Sequence, residues 1–184
     1  EKLILNDICH EMSTCFADLL SDRQVTFIPG DAEQLSFPSG QDLIVSCSAL
    51  QWFVSPEQFF KRCNALLSGH GYFAFSTFGK ENLKEIAAVT GSGLHYYSLE
   101  ELKKSLSMHY NIVTAGEERI RLTFATPLDV LYHLKHTGVT AVCRQAWTKG
   151  DLQEFCDKYA KLFSCGNAVT LTYHPLYIIA RKKP

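Results

Sequence analysis

Residues 25–53 read VTFIPGDAEQLSFPSGQDLIVSCSALQWF. Two short apolar runs, VTFIPG at 25–30 and DLIVSCSAL at 42–50, carry the β-branched and aromatic residues of buried strands. Each run empties into small and polar residues, Gly30-Asp31-Ala32-Glu33 after the first and Ser46 to Phe53 after the second. Upstream, residues 3–8 (LILNDI) repeat the pattern and close on Asp7, and residues 10–20 carry a helical pattern between the first two strands. This is a βαβ rhythm, which calls for a parallel sheet covered by helices.

Downstream, Ser55-Pro56-Glu57-Gln58 supplies a capping hydroxyl, a proline at the first helical position and a Gln at the third, ahead of the stripe Phe59, Phe60, Cys63, Leu66, Leu67. Gly69 and Gly71 flank the end of that helix, and residues 72–78 (YFAFSTF) read as a fourth strand. The second half reads differently. Ser98-Leu99-Glu100-Glu101 is a capping box for a helix to about Leu106, and residues 110–125 contain at least one strand. Thr126-Pro127 opens a helix carrying Leu128, Leu131 and Leu134, and a last helix spans about 150–163. Residues 168–181 form two strand-like runs broken at Pro175.

Composition bounds the class. With 46% hydrophobic and 20% charged residues in 184, the chain has the material for one globular domain. A formal net charge of −1 gives no footprint for nucleic acid or an anionic membrane. No apolar run approaches the ~20 residues of a membrane helix, and no signal peptide opens the chain, so a cytoplasmic protein is expected. Seven scattered cysteines form no C-x-x-C pair, which fits free thiols and speaks against a structural metal. His133 and His136 have metal-pair spacing but no nearby carboxylate or Cys, so no metal is expected there either.

The loops carry the chemistry. Asp7 stands at the carboxyl end of a strand, where ligands of open α/β sheets collect, and can accept from both hydroxyls of a ribose; it serves equally as a helix N-cap. Asp31 can accept from an exocyclic amino group while Ala32 admits a flat purine, although Gly-Asp also makes ordinary turns. Gln51 and Trp52 lie where a ligand edge would be exposed, and Trp52 reads equally well as a wall residue.

The order of these loops resembles that of class I S-adenosylmethionine-dependent methyltransferases, in which they hold ribose, adenine and the methyl-donor side. The segments GDAEQLSFP, SALQWF, GYFAFSTFG, LHYYSLEEL, LDVLYHLKHTGV and YHPLYIIARK are more specifically similar to the malonyl-acyl-carrier-protein O-methyltransferases of biotin synthesis. The run from Leu134-Lys135 through Gly138 is the most specific of them.

The resemblance implies an α/β, Rossmann-like fold with a mostly parallel sheet and helices on both faces. It also implies S-adenosylmethionine as methyl donor, S-adenosylhomocysteine as product, and malonyl-acyl carrier protein as partner and substrate. It places Asp7, Ile8, Met12, Asp31, Ala32, Ser48 and Leu50 at the cofactor, with Gln51 and Trp52 positioning the reacting groups. A carboxylate acceptor is already ionised, so no general base is required. Lys135 and Arg144 are the candidates for holding that carboxylate, with Tyr97 as a wall, and either cation reads equally as a solvated surface charge. Lys103, Lys104, Arg119, Arg121 and Lys149 are the candidates for a basic face toward an acidic carrier protein.

One departure stands out: the family's first strand and its G-x-G-x-G turn belong about twenty residues before Asp7, and the chain opens on what matches the second strand. The expectation is a single domain over 1–184, N-terminally incomplete, with a helical substrate-side insertion at about 80–109 and 126–163. Because the missing strand is central in the family's sheet, two edges are expected to stand unpaired. Two other readings stay open: a methyltransferase of another small-molecule acceptor, and a non-catalytic truncated nucleotide-binding module.

Overall fold

The computed structural model describes residues 2–138 and 147–184. The first half follows the expected rhythm. Strands β1 (Leu3–Asp7) and β2 (Val25–Pro29) pair in parallel, joined by a stretch of 3-10 turns from His10 and the short helix α1 (Ala17–Leu20). Strand β3 (Gln41–Cys47) pairs in parallel with β4 (Leu67–Phe78), with helix α2 (Pro56–Leu66) between them. β4 is longer than its sequence signal. It takes in Gly69 and Gly71, read above as the end of the helix, because Gln41 pairs with Leu67 and a Cβ on Gly71 would meet the Gln41 carbonyl at 2.8 Å.

Helix α3 (Lys84–Thr90) and helix α4 (Leu99–Leu106) follow, then β5 (Tyr110–Glu117), β6 (Ile120–Phe124), α5 (Pro127–His136), α6 (Lys149–Phe163), β7 (Ser164–Cys165), β8 (Ala168–Tyr173) and β9 (Pro175–Lys182). The strands form three sheets in the orders β1-β2, β3-β4-β9-β5 and β6-β8-β7. In the second, β9 runs antiparallel to both β4 and β5, which makes β3, β4 and β5 mutually parallel.

β1 and β3 do not pair, so each leaves an open edge among the described residues, as the sheet order led us to expect. None of residues 2–49 is buried, and Leu43 and Val45 on β3 are 56% and 57% exposed.

Two hydrophobic cores result. The first packs α2 and α4 on one face of the four-stranded sheet through Phe59, Phe60, Leu102, Leu106, Phe73, Phe75, Leu176 and Ile178. Period-two alternation selects those strand residues, and Tyr72, Tyr177 and Ile179 point to the opposite, exposed face. The second core joins α3, α5 and α6 to β8 through Ile86, Val130, Leu134, Phe155, Tyr159, Val169 and Leu171. On α5, Val130 and Leu134 are buried while Leu128 faces out.

The capping box at Ser98/Glu101 forms as the sequence indicates, α5 starts at Thr126-Pro127 as read, and two further boxes form at Thr126/Asp129 and Thr148/Asp151. Ser55 does not cap α2. Glu33, from the loop after β2, accepts the Val54 and Ser55 N–H groups at 2.8 Å each, so a distant carboxylate fixes the chain entering the helix while the expected hydroxyl bond to its first turn is not made.

Buried polar groups brace the second core. Glu85 on α3, only 2% exposed, accepts from the Thr172 N–H at 3.0 Å and from its hydroxyl at 2.6 Å. Burial, with Glu85 adding to it, pushes the Tyr159 phenol up, and its O–H donates to the Thr170 carbonyl at 2.7 Å. Glu85→Ala leaves the buried Thr172 N–H unsatisfied, and we expect a loss of about 1–3 kcal/mol in urea unfolding, with Glu85→Gln closer to wild type.

Hydrogen bonds from Arg119 and then Lys84 hold Glu81 down to about 2, and the Lys80 and Ser98 bonds do the same for Glu101, against an ordinary value of 4.5. Folding lowers these values, so the stability they lend is complete above pH 4.5 and is lost as pH falls toward 2. Unfolding followed across that window should show a steeper acid loss for wild type than for Glu81→Gln.

Candidate functional site

The carboxyl ends of β1, β2 and β3 form one rim. Register pairs Asp7 with Pro29, and the Gly30 N–H donates to the Asp7 carbonyl at 2.9 Å, so the Asp7 and Asp31 turns lie side by side. Asn6 fastens this corner, its amide donating to the carbonyls of Ile28 (2.7 Å) and Gly30 (3.0 Å). Gly30 takes φ of +132°, a conformation open to glycine alone, and this aims the following Asp31-Ala32 turn.

Asp7 is half-buried and spends one carboxylate oxygen on the Cys9 N–H at 2.8 Å. Asp31 spends one on the Glu33 N–H at 2.8 Å. Each keeps a second oxygen for a ligand. Asp7 is not the N-cap weighed from sequence: Cys9 holds that position without a side-chain cap, and the Asp7 bond closes a turn two residues long that uses half of the carboxylate. Ile8 is 76% exposed and Met12 half-buried on the turn above Asp7. Next to them the Cys9 thiol donates to Glu11 at 3.0 Å, and that bond raises its pKa, so it stays a thiol.

The Asp31-Ala32 segment is tied to α2 twice. Glu33 binds its N-terminus, and Arg62 donates to the carbonyls of Ala32 (3.4 Å) and Leu35. Ala32 itself packs against the first core. These links bring the third loop to the same rim.

In that loop Ser48 adopts φ of +50° and donates its N–H to Ser76 at the end of β4. Gln51 braces the turn, its Nε2 donating to the Ser48 carbonyl while Thr77 donates to its Oε1 at 3.1 Å. Leu50 is 3% exposed and belongs to the core, while Trp52 is 48% exposed at the rim.

A shallow, open recess adjoins this rim, lined by Leu50, Gln51, Thr77, Phe78, Tyr96, Tyr97 and their neighbours. Tyr97 packs on the core and meets His95 edge to face at 4.9 Å. Tyr96 accepts a hydrogen bond from Asn82 at 3.1 Å, and burial raises its pKa, so its hydroxyl keeps its proton.

Lys135 is exposed on α5, a helix that packs on α6 and β6, and it does not line the recess. Arg144 lies outside the described residues. Of the expected basic face, Lys103 pairs with Glu100 at 2.8 Å and Arg119 with Glu117 and Glu81, so these charges are locally balanced. His133 bonds the Tyr173 hydroxyl at 3.0 Å, and among the described residues no group of three or more His, Cys, Asp or Glu is placed to hold a metal. No helix among the described residues is long and apolar enough to cross a membrane.

Sequence reading missed Glu33, Arg62, Asn82 and Tyr96. Glu33 and Tyr96 sit inside motifs that drew attention, GDAE and HYYS, but nothing local tells a clasp or a wall from its neighbour. Arg62 and Asn82 act through pairings across the fold, for which a single sequence carries no signal.

Comparison with known proteins agrees with this geometry. A methyltransferase domain family model matches residues 1–75. The malonyl-(acyl-carrier protein) O-methyltransferase of Bacteroides thetaiotaomicron is 56% identical over 193 residues, covering all of this chain, which spans 74% of that protein. The Bacteroides fragilis protein of the same name is 56% identical over 184 residues and longer, the chain spanning 37% of it. The fold is similar to that of the N-methyltransferase NodS of Bradyrhizobium japonicum, solved with S-adenosyl-L-homocysteine, at a TM-score of 0.55 and 13% identity over all of this chain and 67% of that one. The chain belongs to the malonyl-(acyl-carrier protein) O-methyltransferase family.

Proposed function

We propose that the chain transfers a methyl group from S-adenosylmethionine to the free carboxylate of malonyl-acyl carrier protein, forming the methyl ester that starts the pimeloyl chain of biotin. The observation that carries this reading is the meeting of Asp7, Asp31-Ala32 and the Ser48–Trp52 loop at one rim beside a recess. Identity of 56% to a malonyl-(acyl-carrier protein) O-methyltransferase along the whole chain supports the substrate.

The residues fit the cofactor. The second oxygen of Asp7 is available to ribose hydroxyls and that of Asp31 to an adenine amino group, while the methyl side chain of Ala32 lets a flat base approach the backbone. When bound, S-adenosylmethionine supplies a methyl group already activated by a positive sulfur, which an ionised carboxylate can accept without a base. What the protein contributes is placement and exclusion of water. Holding two reactants in line is worth roughly 7–11 kcal/mol in favourable cases.

The brace of Ser48, Gln51 and Thr77 fixes the loop between cofactor and recess, and Trp52, Tyr97 and Phe78 wall it. We place the substrate on the side of the second core, with the segments at about 80–109 and 126–163. Lys135, read from sequence as a holder of the acceptor carboxylate, lies away from the recess, and we assign it instead to the face that meets the acidic carrier protein, together with Lys104, Arg121 and Lys149, which have no acidic partner among the described residues. Among the described residues β1 and β3 each pair on one side only, and the protein from its complete reading frame is the form to assay.

That protein, given methyl-labelled S-adenosylmethionine, should place base-labile label on malonyl-acyl carrier protein and none on acetyl-acyl carrier protein. Label on free small acids alone would overturn the substrate and keep the methyltransferase. Asp7→Asn retains the acceptor for the Cys9 N–H but loses the charge. Cofactor affinity by calorimetry should fall roughly 10- to 100-fold, the worth of about 1.5–3 kcal/mol for hydrogen bonds to a charged group.

A further inference from the structure

We infer that Tyr96 is a substrate-binding residue whose phenolic O–H donates to the acceptor carboxylate, and that Asn82 is the positioning residue that aims it; this rests on the reading of the reaction given above. Asn82 is 4% exposed, and its amide can sit only one way round. Its Oδ1 accepts from the His174 backbone N–H at 3.2 Å, a group that can only donate. Its Nδ2 therefore faces Tyr96, at 3.1 Å, and donates to the phenolic oxygen. The Tyr96 proton cannot return along that line, and among the described residues it meets no acceptor. A phenol that already accepts one hydrogen bond is a stronger donor of its own.

The rest of the recess narrows the choice. Both ends of the Gln51 amide are engaged, by Ser48 and Thr77, and Thr77 spends its proton on Gln51. Besides the second Nε2 proton of Gln51, unspent donors line the recess on Tyr96, Tyr97 and the exposed His95, and of these tyrosines Tyr96 is the one whose phenolic oxygen is held by a buried side-chain donor, Asn82. The anchor behind it is firm. His174, 3% exposed, accepts the Glu81 N–H on Nδ1 at 3.1 Å, so its proton sits on Nε2 and goes to Glu117 at 3.1 Å. Gly79 lets the ring close in, since a Cβ there would stand 2.6 Å from it.

The chemistry suits a neutral donor. In the transfer one carboxylate oxygen would form the new C–O bond as the methyl–sulfur bond breaks and S-adenosylhomocysteine leaves, and a hydrogen bond to the other oxygen fixes the carboxylate's rotation without the full neutralisation that an ion pair with Lys or Arg brings. A site built to bond a carboxylate also rejects an acyl group lacking one.

The test uses the enzyme from its complete reading frame, with malonyl-acyl carrier protein as substrate and acetyl-acyl carrier protein as competitor. Wild type that fails to methylate malonyl-acyl carrier protein sinks the proposed reaction itself. Given wild-type activity, Tyr96→Phe should raise KM for malonyl-acyl carrier protein roughly 10- to 100-fold. Inhibition by acetyl-acyl carrier protein and cofactor affinity should stay unchanged.

Asn82→Asp keeps an acceptor for the His174 N–H but offers Tyr96 an acceptor too, drawing its proton away. It should reproduce the loss without adding to it in the double variant, and it reads the same bond if Tyr96→Phe folds poorly. An unchanged KM in both variants, or equal weakening of acetyl-acyl carrier protein, overturns the inference.

Discussion

The strand β4 is the member on which the rest of the structure hangs. It pairs in parallel with β3 through Cys47 and Ser76, and antiparallel with β9 from Tyr72 to Phe78. Its inward residues alternate without interruption: Phe73 and Phe75 enter the first core, and Thr77 is the next in step. Because a strand's side chains repeat every second residue, the residue that follows two core aromatics also points inward. At the carboxyl end of β4 the core gives way to the recess, and there a hydroxyl replaces a ring. Thr77 then holds Gln51, and Gln51 holds the Ser48 turn. One periodicity thus builds the core and sets the floor of the site.

The second core and its link to the first sheet, through Glu117 on β5, are braced by buried polar groups. Glu85 reaches from α3 to Thr172, Asn82 reaches to the His174 N–H, and His174 reaches to Glu117. A hydrophobic seam of similar area would tolerate sliding by a side chain's width. Hydrogen bonds between buried groups tolerate far less, since a displaced partner leaves a desolvated donor unmet. The described side chains show no buried polar atom without a partner, so the network is complete. It holds residues 79–85 in one position, including Leu83 in the left-handed conformation at φ of +52°, and this is what fixes Asn82 beside the recess.

Much of this was legible in sequence wherever a signal is local. Apolar runs marked β1 to β3, and the box at Ser98 and the Thr126-Pro127 pair marked the starts of α4 and α5, because helix starts are signalled by residues close together in sequence. The rim acids Asp7 and Asp31 were legible because parallel strands bring their carboxyl ends together by construction. What escaped was set by partners distant in sequence. The carboxylate at the entry to α2 came from Glu33, 22 residues from Ser55, and the antiparallel sheet of β6, β7 and β8 needed Ile120 to find Tyr173. Tyr96 was passed over beside Tyr97, which lines the same recess, because adjacent tyrosines outside a regular element give no phase by which to assign a face.

The two sides of the site are stabilised by different physics. Beyond residue 49 the walls rest on buried aromatics and aliphatics, whereas residues 2–49 contribute no buried side chain at all. On that side the shape depends on directed bonds: Asn6 across β1 and β2, and Glu33 and Arg62 from the adenine-side turn to α2. Both clasps bind backbone groups, which fixes the turns while leaving the outer oxygens of Asp7 and Asp31 unspent. A ligand with hydroxyls and an amino group can meet those outer oxygens with directed bonds of the same kind. The side with little hydrophobic burial is therefore the one that gains most from a polar occupant, whereas the recess beyond Gln51 keeps its form without one.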